Sequence, residues 1–175
     1  MSRTGRASLS ESPSAPQRLT ILGTGREVAL DDFAADVRSG LTATPKRLSC
    51  AFLYDAEGSL LFERICGLPE YYPTRSEEEI LRTHAGDIVG DLPADLSLVE
   101  LGSGSAAKTR VLIEELLRRH GRLRYVPIDI SRSMLEHSSQ ALLADYERLE
   151  VLGMAAEYHD GLHELARVLS GPRLV

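Results

Sequence analysis

The fold is decided by residues 96–107, LSLVELGSGSAA, where an apolar run passes into closely spaced glycines. Residues 96–101 are almost continuously apolar, as expected of a strand that is buried on both faces of a parallel sheet. Gly102 and Gly104 allow a tight turn and a close approach of the backbone to a ligand, which a Cβ atom would block. Apolar residues at helical spacing follow, from Val111 to Leu117, and Gly121 suits the end of that helix. The stretch therefore predicts a strand, a glycine turn and a helix, the first unit of a parallel α/β sheet.

The same alternation continues toward the C-terminus. RYVPIDI (residues 124–130) predicts a second strand, and Ser131 is the expected cap of the helix that follows it. LEVLGMAAEYHD (149–160) predicts a third strand with an extension, and HELARVL (163–169) predicts a third helix. SGPRLV (170–175) resembles the opening of a fourth strand. We therefore expect a doubly wound, Rossmann-like sheet that is truncated after its third strand, with the central first strand left as an unpaired edge.

The N-terminal half has helical rather than strand periodicity. DDFAADVRSGL (31–41) predicts a short helix, and residues 54–89 predict two helices joined by a rigid turn. We expect Ser59 to cap the first of the two and Gly67 to end it in the left-handed conformation. Thr74 and Glu77 have the spacing of a capping box for the second helix, which would place the Glu77–Glu79 run in its first turn. The expected domains are a disordered leader (1–19), a helical segment that holds or caps the substrate (20–92) and a partial cofactor-binding domain (93–175).

Composition excludes several classes of protein. The 175 residues carry a net charge of -6 with a pI near 5.4, which argues against nucleic-acid binding. No apolar stretch reaches the roughly 18 residues of a membrane span, and no secretory signal is evident. The Ser-, Arg- and Pro-rich leader could be a transit peptide, but it shows no amphipathic face, which favours disorder. Cys50 and Cys66 have no C-x-x-C spacing, so neither a disulfide framework nor a zinc site is expected, and a reducing cytoplasm fits best.

Two histidines four residues apart, His159 and His163, do not suggest a metal pair. Gly161 lies between them and argues against one continuous helix face. No metal site is expected.

Acidic residues at the strand ends suggest how a cofactor would be held. Asp129, at the end of the second strand, can accept hydrogen bonds from both hydroxyls of a ribose, although it could also cap the following helix. Asp160, after the third strand, is a candidate for an adenine amine, although Asp160-Gly161 is also a common turn dipeptide. NAD and S-adenosylmethionine (SAM) both fit such a loop. Glu100, two residues before the first glycine, favours SAM by analogy with methyltransferases of this architecture.

Three segments resemble the histidine-specific, SAM-dependent methyltransferases, which form hercynine (Nα-trimethylhistidine) on the route to ergothioneine. They are YDAEGSLLFERICGLPEYYPTRSEEEIL (54–81), LVELGSGSAAKTRVLIEEL (98–116) and YVPIDIS (125–131), and the similarity runs from about Phe33 to the C-terminus. The resemblance implies a class I SAM-dependent methyltransferase fold and L-histidine as the substrate. About half of the family's expected length is absent, including most of the residues that would hold histidine. The resemblance therefore implies a truncated enzyme with a complementing C-terminal half.

The resemblance also assigns residues. It implies that Tyr71 helps to bind histidine and that Tyr54 lies near the reacting amine. The implied SAM contacts are Gly102, Gly104, Lys108 in the first turn of its helix, Asp129, Asp160 and Gly161. From the residues alone, Tyr71 could equally be a packed aromatic and Lys108 a solvated side chain.

One position departs from the family pattern. Asp160-Gly161 stands where the family usually has Asp-Phe, so we expect the aromatic wall beside the adenine to be missing and donor affinity to suffer.

Two alternative functions remain open at this point. One is a non-catalytic module that binds SAM or pairs with another subunit, and the other is a methyltransferase for a different amino acid.

Overall fold

A five-stranded parallel sheet forms the centre of the computed structural model, which describes residues 17–23, 30–53 and 55–175. The strands lie in the order β1-β4-β3-β2-β5. They are β1 (Leu19–Gly23), β2 (Ser97–Leu101), β3 (Leu123–Asp129), β4 (Leu149–Ala155) and β5 (Arg173–Leu174). The helices are α1 (Leu30–Thr42), α2 (Ala56–Cys66), α3 (Tyr72–Val89), α4 (Arg110–His120), α5 (Arg132–Asp145) and α6 (Tyr158–Val168), and Cys50–Leu53 forms a short 3-10 helix.

Side chains that alternate along the strands fill two cores, one on each face of the sheet. Leu98 and Tyr125 belong to the larger core with residues of α3, α4 and α5, whereas Val99 and Val126 belong to the smaller core with Leu165 of α6. Both faces of β2 and β3 are therefore covered, which explains their nearly continuous apolar sequences. The predicted parallel, Rossmann-like α/β fold is confirmed.

The N-terminal segment is not entirely helical, which corrects the expected division at residue 20. Leu19–Gly23 is a strand that pairs in parallel with β4, from Leu19 opposite Val151 to Gly23 opposite Ala155. Arg18 fixes its start, because the guanidinium donates to the carbonyl oxygens of Leu143 at 3.0 Å and Tyr146 at 2.9 Å. The sheet thus begins before the helical segment, and the rest of the expected leader (1–16) lies outside the described residues.

The central strand β2 is only partly exposed as an edge. β5 pairs with it in parallel, with Ser97 opposite Arg173 and Leu98 opposite Leu174. Beyond these two positions, no strand among the described residues covers that side of β2. The expected fourth strand therefore begins as predicted, and it shields the first two residues of the edge.

Helix ends agree with the sequence in the sheet domain and differ from it in the helical segment. Gly121 ends α4 in the left-handed conformation (φ +76°), and Ser131 caps α5 by accepting from the N–H of Met134 at 3.4 Å. By contrast Asp55, not Ser59, caps α2 by accepting from the N–H of Gly58 at 2.8 Å. Gly67 ends that helix in a right-handed conformation, with φ -81°.

The capping-box prediction for α3 is wrong. The helix starts at Tyr72, and proline occupies its first turn in place of the expected Thr74 cap. A proline at this point loses no helical hydrogen bond, and its fixed φ angle already suits a helix. Thr74 is therefore inside the helix, and the Glu77–Glu79 run lies beyond the first turn.

Candidate functional site

A cavity of about 710 Å³ opens at the carboxyl ends of β2, β3 and β4. In open α/β sheets this end carries the ligand sites, because the loops that follow the strands converge there. One wall is residues 102–108, which we call the glycine loop, and another is formed by the residues that follow β3 and β4. Residues of α2 and the segment before it close the cavity from outside the sheet.

The glycine loop has the backbone conformation that its sequence predicts. Gly102 has φ +69° and Gly104 has φ +48°, a region that side chains disfavour. The N–H of Gly102 donates to the carbonyl oxygen of Ile128 at 2.8 Å, which ties the start of the loop to β3. A Cβ atom at Gly102 would stand 2.5 Å from the hydroxyl of Tyr158, so a larger residue there would also displace that side chain.

Asp129 braces the glycine loop from the end of β3. Its Oδ2 accepts from the N–H of Gly104 at 2.9 Å, and its Oδ1 accepts from the N–H of Ser131 at 2.8 Å. Each carboxylate oxygen can accept about two hydrogen bonds, so both retain capacity for a ligand hydroxyl. The carboxylate lies on the cavity, so its expected ligand role and its alternative role at the start of α5 are compatible.

Glu100 forms the floor of the cavity beside the loop. One carboxylate oxygen accepts from Oγ1 of Thr109 at 2.5 Å, and the other accepts from the hydroxyl of the fully buried Tyr125. Burial raises the pKa of Glu100 above its usual value, while the two hydrogen bonds act in the opposite direction. Burial and the adjacent carboxylate also raise the pKa of Tyr125, which therefore serves as a hydrogen-bond donor.

Lys108 lies on the cavity but not in the helix that was expected to carry it. α4 begins two residues later, at Arg110, and Lys108 occupies the turn before it. Its ammonium group forms an ion pair with Glu77 of α3. The Glu77–Glu79 run thus supplies the ion-pair partner of Lys108. From the sequence, this run indicates only the start of a helix.

The two tyrosines assigned to the substrate are placed differently. Tyr71 precedes α3 and packs edge-on against Phe62, with ring centroids 6.1 Å apart and an interplanar angle of 78°. Phe62 lines the cavity, whereas Tyr71 stands behind it. Tyr54 lies outside the described residues.

Asp160 and Gly161, which were expected to contact the donor, do not line the cavity. β4 ends at Ala155, and Asp160 is already in the first turn of α6. Gly161 is buried for packing, since a Cβ atom there would stand 2.5 Å from Cγ2 of Ile128. The cavity is lined instead by Glu157, Tyr158 and His159, which begin two residues after the end of the strand. They supply an acidic and an aromatic residue to the wall of the cavity.

The helical segment contributes cavity residues that the sequence interpretation missed. Ser59, Phe62, Glu63 and Cys66 of α2 all line the cavity, and so does Cys50 before it. The four α2 residues are spaced i, i+3, i+4, i+7, which places them on one face of the helix. The mixed polar and apolar character of this face could have indicated a binding role. The local sequence, however, does not show that the face would lie on the cavity.

α6 runs without a break through His159 and His163, so the expectation that Gly161 separates them is wrong. In the described ranges there is nevertheless no group of three or more His, Cys, Asp or Glu residues that could hold a metal ion. No helix in that part of the chain combines the length and apolar character needed to cross a membrane.

A parallel sheet, a positive-φ glycine loop and an acidic residue at the end of the adjacent strand define a binding protein for a nucleotide-type cofactor. Comparison with known protein families identifies the cofactor and the class of enzyme. Residues 33–175 match the family described as "Histidine-specific methyltransferase, SAM-dependent". The chain belongs to this family of SAM-dependent methyltransferases, whose methyl donor is SAM.

Three relatives illustrate the range of the family. The chain is 42% identical to the histidine N-alpha-methyltransferase of Mycolicibacterium smegmatis over 84% of its own length and 45% of that protein. It is 36% identical to ergothioneine biosynthesis protein 1 of Neurospora crassa, over 67% of the chain and 13% of that protein. It is 30% identical to the 4-dimethylallyltryptophan N-methyltransferase easF of Epichloe festucae var. lolii, over 80% of the chain and 41% of that protein. The chain thus spans less than half the length of these relatives.

Proposed function

We propose that this chain is the donor-binding part of an enzyme that transfers methyl groups from SAM to the α-amino nitrogen of L-histidine. The observation that carries the proposal is the braced glycine loop at the cavity, in a chain that belongs to a SAM-dependent family. The mycobacterial relative's name supports histidine as the acceptor, and the Neurospora relative's name supports a role in ergothioneine biosynthesis. A cytoplasmic location is part of the same proposal, consistent with two free thiols.

The proposed donor contacts follow the cavity. The backbone of Gly102 and Gly104 would approach the donor, the Asp129 carboxylate would accept from ribose hydroxyls, and the Lys108 ammonium would meet the donor's carboxylate. Glu157 and Tyr158 replace Asp160 and Gly161 in this scheme, because they border the cavity after β4, as His159 also does, whereas Asp160 and Gly161 do not.

The proposed chemistry is an in-line displacement, for which the protein mainly aligns the reactants and excludes water. When bound, SAM supplies an activated methyl group on a sulfonium. The attacking amine must be unprotonated, and the Tyr54 hydroxyl would orient it or relay its proton. Tyr71 would support the acceptor side through its contact with Phe62 on the cavity wall.

A complementing C-terminal portion, such as the part of the relatives that this chain does not span, is proposed as the partner. Leu60, Leu61 and Ile65 of α2 are 61%, 48% and 42% exposed, although they belong to the helix that closes the cavity. A run of exposed large apolar side chains on one helix is typical of an interaction surface. A covering segment on α2 would complete the acceptor side of the cavity.

Calorimetric titration of the folded chain with SAM tests the donor site. We expect binding that weakens in Glu157→Gln and stays unchanged in Asp160→Asn, since only the first residue lines the cavity. Equal effects of the two substitutions would contradict the proposed contacts, and a folded chain without affinity for SAM would refute the donor site.

Activity is tested separately. Mass spectrometry of histidine incubated with SAM and this chain, with and without the missing portion of a relative, would detect methylation. SAM binding without methylation in either mixture would favour the non-catalytic donor-binding module.

A further inference from the structure

α2 directs one charged side chain at the glycine loop. Ser59, Phe62, Glu63 and Cys66 form the face of the helix on the cavity, and Glu63 is the ionisable acid among them. Oε1 of Glu63 lies 3.6 Å from the point that a Cβ on Gly104 would occupy, and no other described residue apart from the loop neighbours of Gly104 has an atom within 4 Å of that point. The N-terminal helical segment thus brings a carboxylate to Gly104 of the glycine loop.

Glu63 differs from the carboxylates that belong to the sheet. Both oxygens of Glu100 accept from side-chain hydroxyls, and both oxygens of Asp129 accept from backbone N–H groups. The Glu63 carboxylate makes no hydrogen bond or ion pair with any other described residue. Glu157 likewise has no partner in the described part of the chain, but it follows β4 and does not lie at the glycine loop. Among the carboxylates at the glycine loop, Glu63 is therefore the one without a partner in the described part of the chain.

The charge balance of the cavity favours a cation at this position. Four carboxylates line it, whereas Lys108 is the only lysine or arginine among the described lining residues. The Lys108 ammonium is already paired with Glu77. An apolar group placed against Glu63 would desolvate the carboxylate without compensation, whereas a cation would be attracted to it.

The methyl donor of the family carries two such cations, the sulfonium and the α-ammonium. We infer that Glu63 recognises a positively charged group of the donor and thereby makes α2 part of the donor site. The inference rests on the proposed function, because it takes the cavity to be the SAM site.

The consequence for turnover depends on which cation Glu63 meets. During transfer the S–CH₃ bond breaks and its electron pair stays on sulfur, while the amine nitrogen forms the new C–N bond and loses a proton. The sulfonium charge therefore disappears from S-adenosylhomocysteine, whereas the ammonium charge persists. A carboxylate near the sulfonium would bind the donor more tightly than this product.

The test compares Glu63→Gln with Glu57→Gln, an exposed acid on the same helix that does not line the cavity. Calorimetry would compare three ligands. SAM carries both the sulfonium and the α-ammonium, S-adenosylhomocysteine carries the ammonium alone, and 5′-methylthioadenosine carries neither. We expect Glu63→Gln to weaken SAM binding by about two- to fivefold, as for a partly exposed charge pair, and to leave 5′-methylthioadenosine unchanged. Glu57→Gln should change none of the three affinities.

The affinity for the product, S-adenosylhomocysteine, shows whether Glu63 meets the sulfonium or the α-ammonium. A comparable loss for S-adenosylhomocysteine identifies the ammonium as the partner, whereas an unchanged product affinity identifies the sulfonium. Equal losses for all three ligands, or no loss for SAM, would overturn the inference while leaving the donor site in place. A wild-type chain that binds none of the ligands would overturn the proposed function and this inference together.

Discussion

Replacing Tyr125 by Phe removes one hydroxyl from the centre of the sheet and leaves the ring in place. Tyr125 is fully buried, and its hydroxyl donates to Glu100, whose other oxygen accepts from Thr109. A hydrogen bond to a charged group contributes about 1.5–3 kcal/mol, and the acceptor is left unsatisfied when the donor is removed. We therefore expect Tyr125→Phe to lower the free energy of unfolding by about 2 kcal/mol near neutral pH.

This cost should depend on pH. The pKa of Glu100 is raised in the folded protein, and losing a donor to its charged form raises that pKa further. For an acid with a raised folded pKa, stability falls as pH rises from the unfolded value toward the folded one. Because the pKa of Glu100 is higher in the variant than in the wild type, the deficit should be smaller at about pH 5 than at about pH 8.

Urea unfolding followed by circular dichroism at the two pH values measures the deficit. Tyr146→Phe is a matched control, because that hydroxyl donates to Glu114 at 2.7 Å on the exposed surface. The control should cost less than about 0.5 kcal/mol. A Tyr125→Phe deficit equal to the control's, or one that does not change with pH, would refute the role assigned to the Glu100 carboxylate.

Three further substitutions test other contacts. Arg18→Met should lower the free energy of unfolding by about 1–2 kcal/mol in urea titrations, because its guanidinium links β1 to the end of α5. Gly161→Ala should destabilise by about 1–3 kcal/mol through its clash with Ile128, offset by about 1 kcal/mol of helix propensity, while calorimetry shows unchanged SAM affinity. Glu77→Gln should release Lys108 and strengthen SAM binding by about two- to fivefold without affecting 5′-methylthioadenosine. Weaker binding in this last variant would show that Glu77 positions the lysine instead of competing for it.

The sheet domain could be predicted because its signals are local. An apolar run followed by Gly102, a helix that ends at Gly121 and a cap at Ser131 each encode one boundary within a few residues. These boundaries repeat in strand-to-helix order, which is enough to specify a parallel sheet. The position of Asp129 at the cavity follows from the same reasoning.

β1 could not be predicted in this way because its signal is non-local. Leu19–Gly23 is a five-residue apolar stretch next to a polar leader, and its partner β4 is about 130 residues away along the chain. Pairing at that distance is decided by the finished sheet rather than by the segment's own sequence. The start of α3 failed for a different reason, since two helix-start signals overlap and the proline prevailed over Thr74.

Asp160 was predicted as a site residue from its residue type, and it does not line the cavity. Asp-Gly is a strong turn signal, but the position of a residue relative to the end of β4 determines whether it faces the cavity. Because β4 ends at Ala155, Glu157 lies at the edge of the sheet and Asp160 is already in α6. An acidic and an aromatic residue immediately after the strand would have been the better signal.

The helical segment and the sheet domain share one site, so donor and acceptor recognition should be coupled. α2 faces the glycine loop through Glu63, and α3 reaches it through the pair of Glu77 with Lys108. Tyr71, at the start of α3, also packs against Phe62 on the cavity wall. Relatives named for acceptors as different as histidine and 4-dimethylallyltryptophan match this same part of the chain. Substitutions on α2 or α3 that adapt the enzyme to a new acceptor should therefore also shift its affinity for SAM.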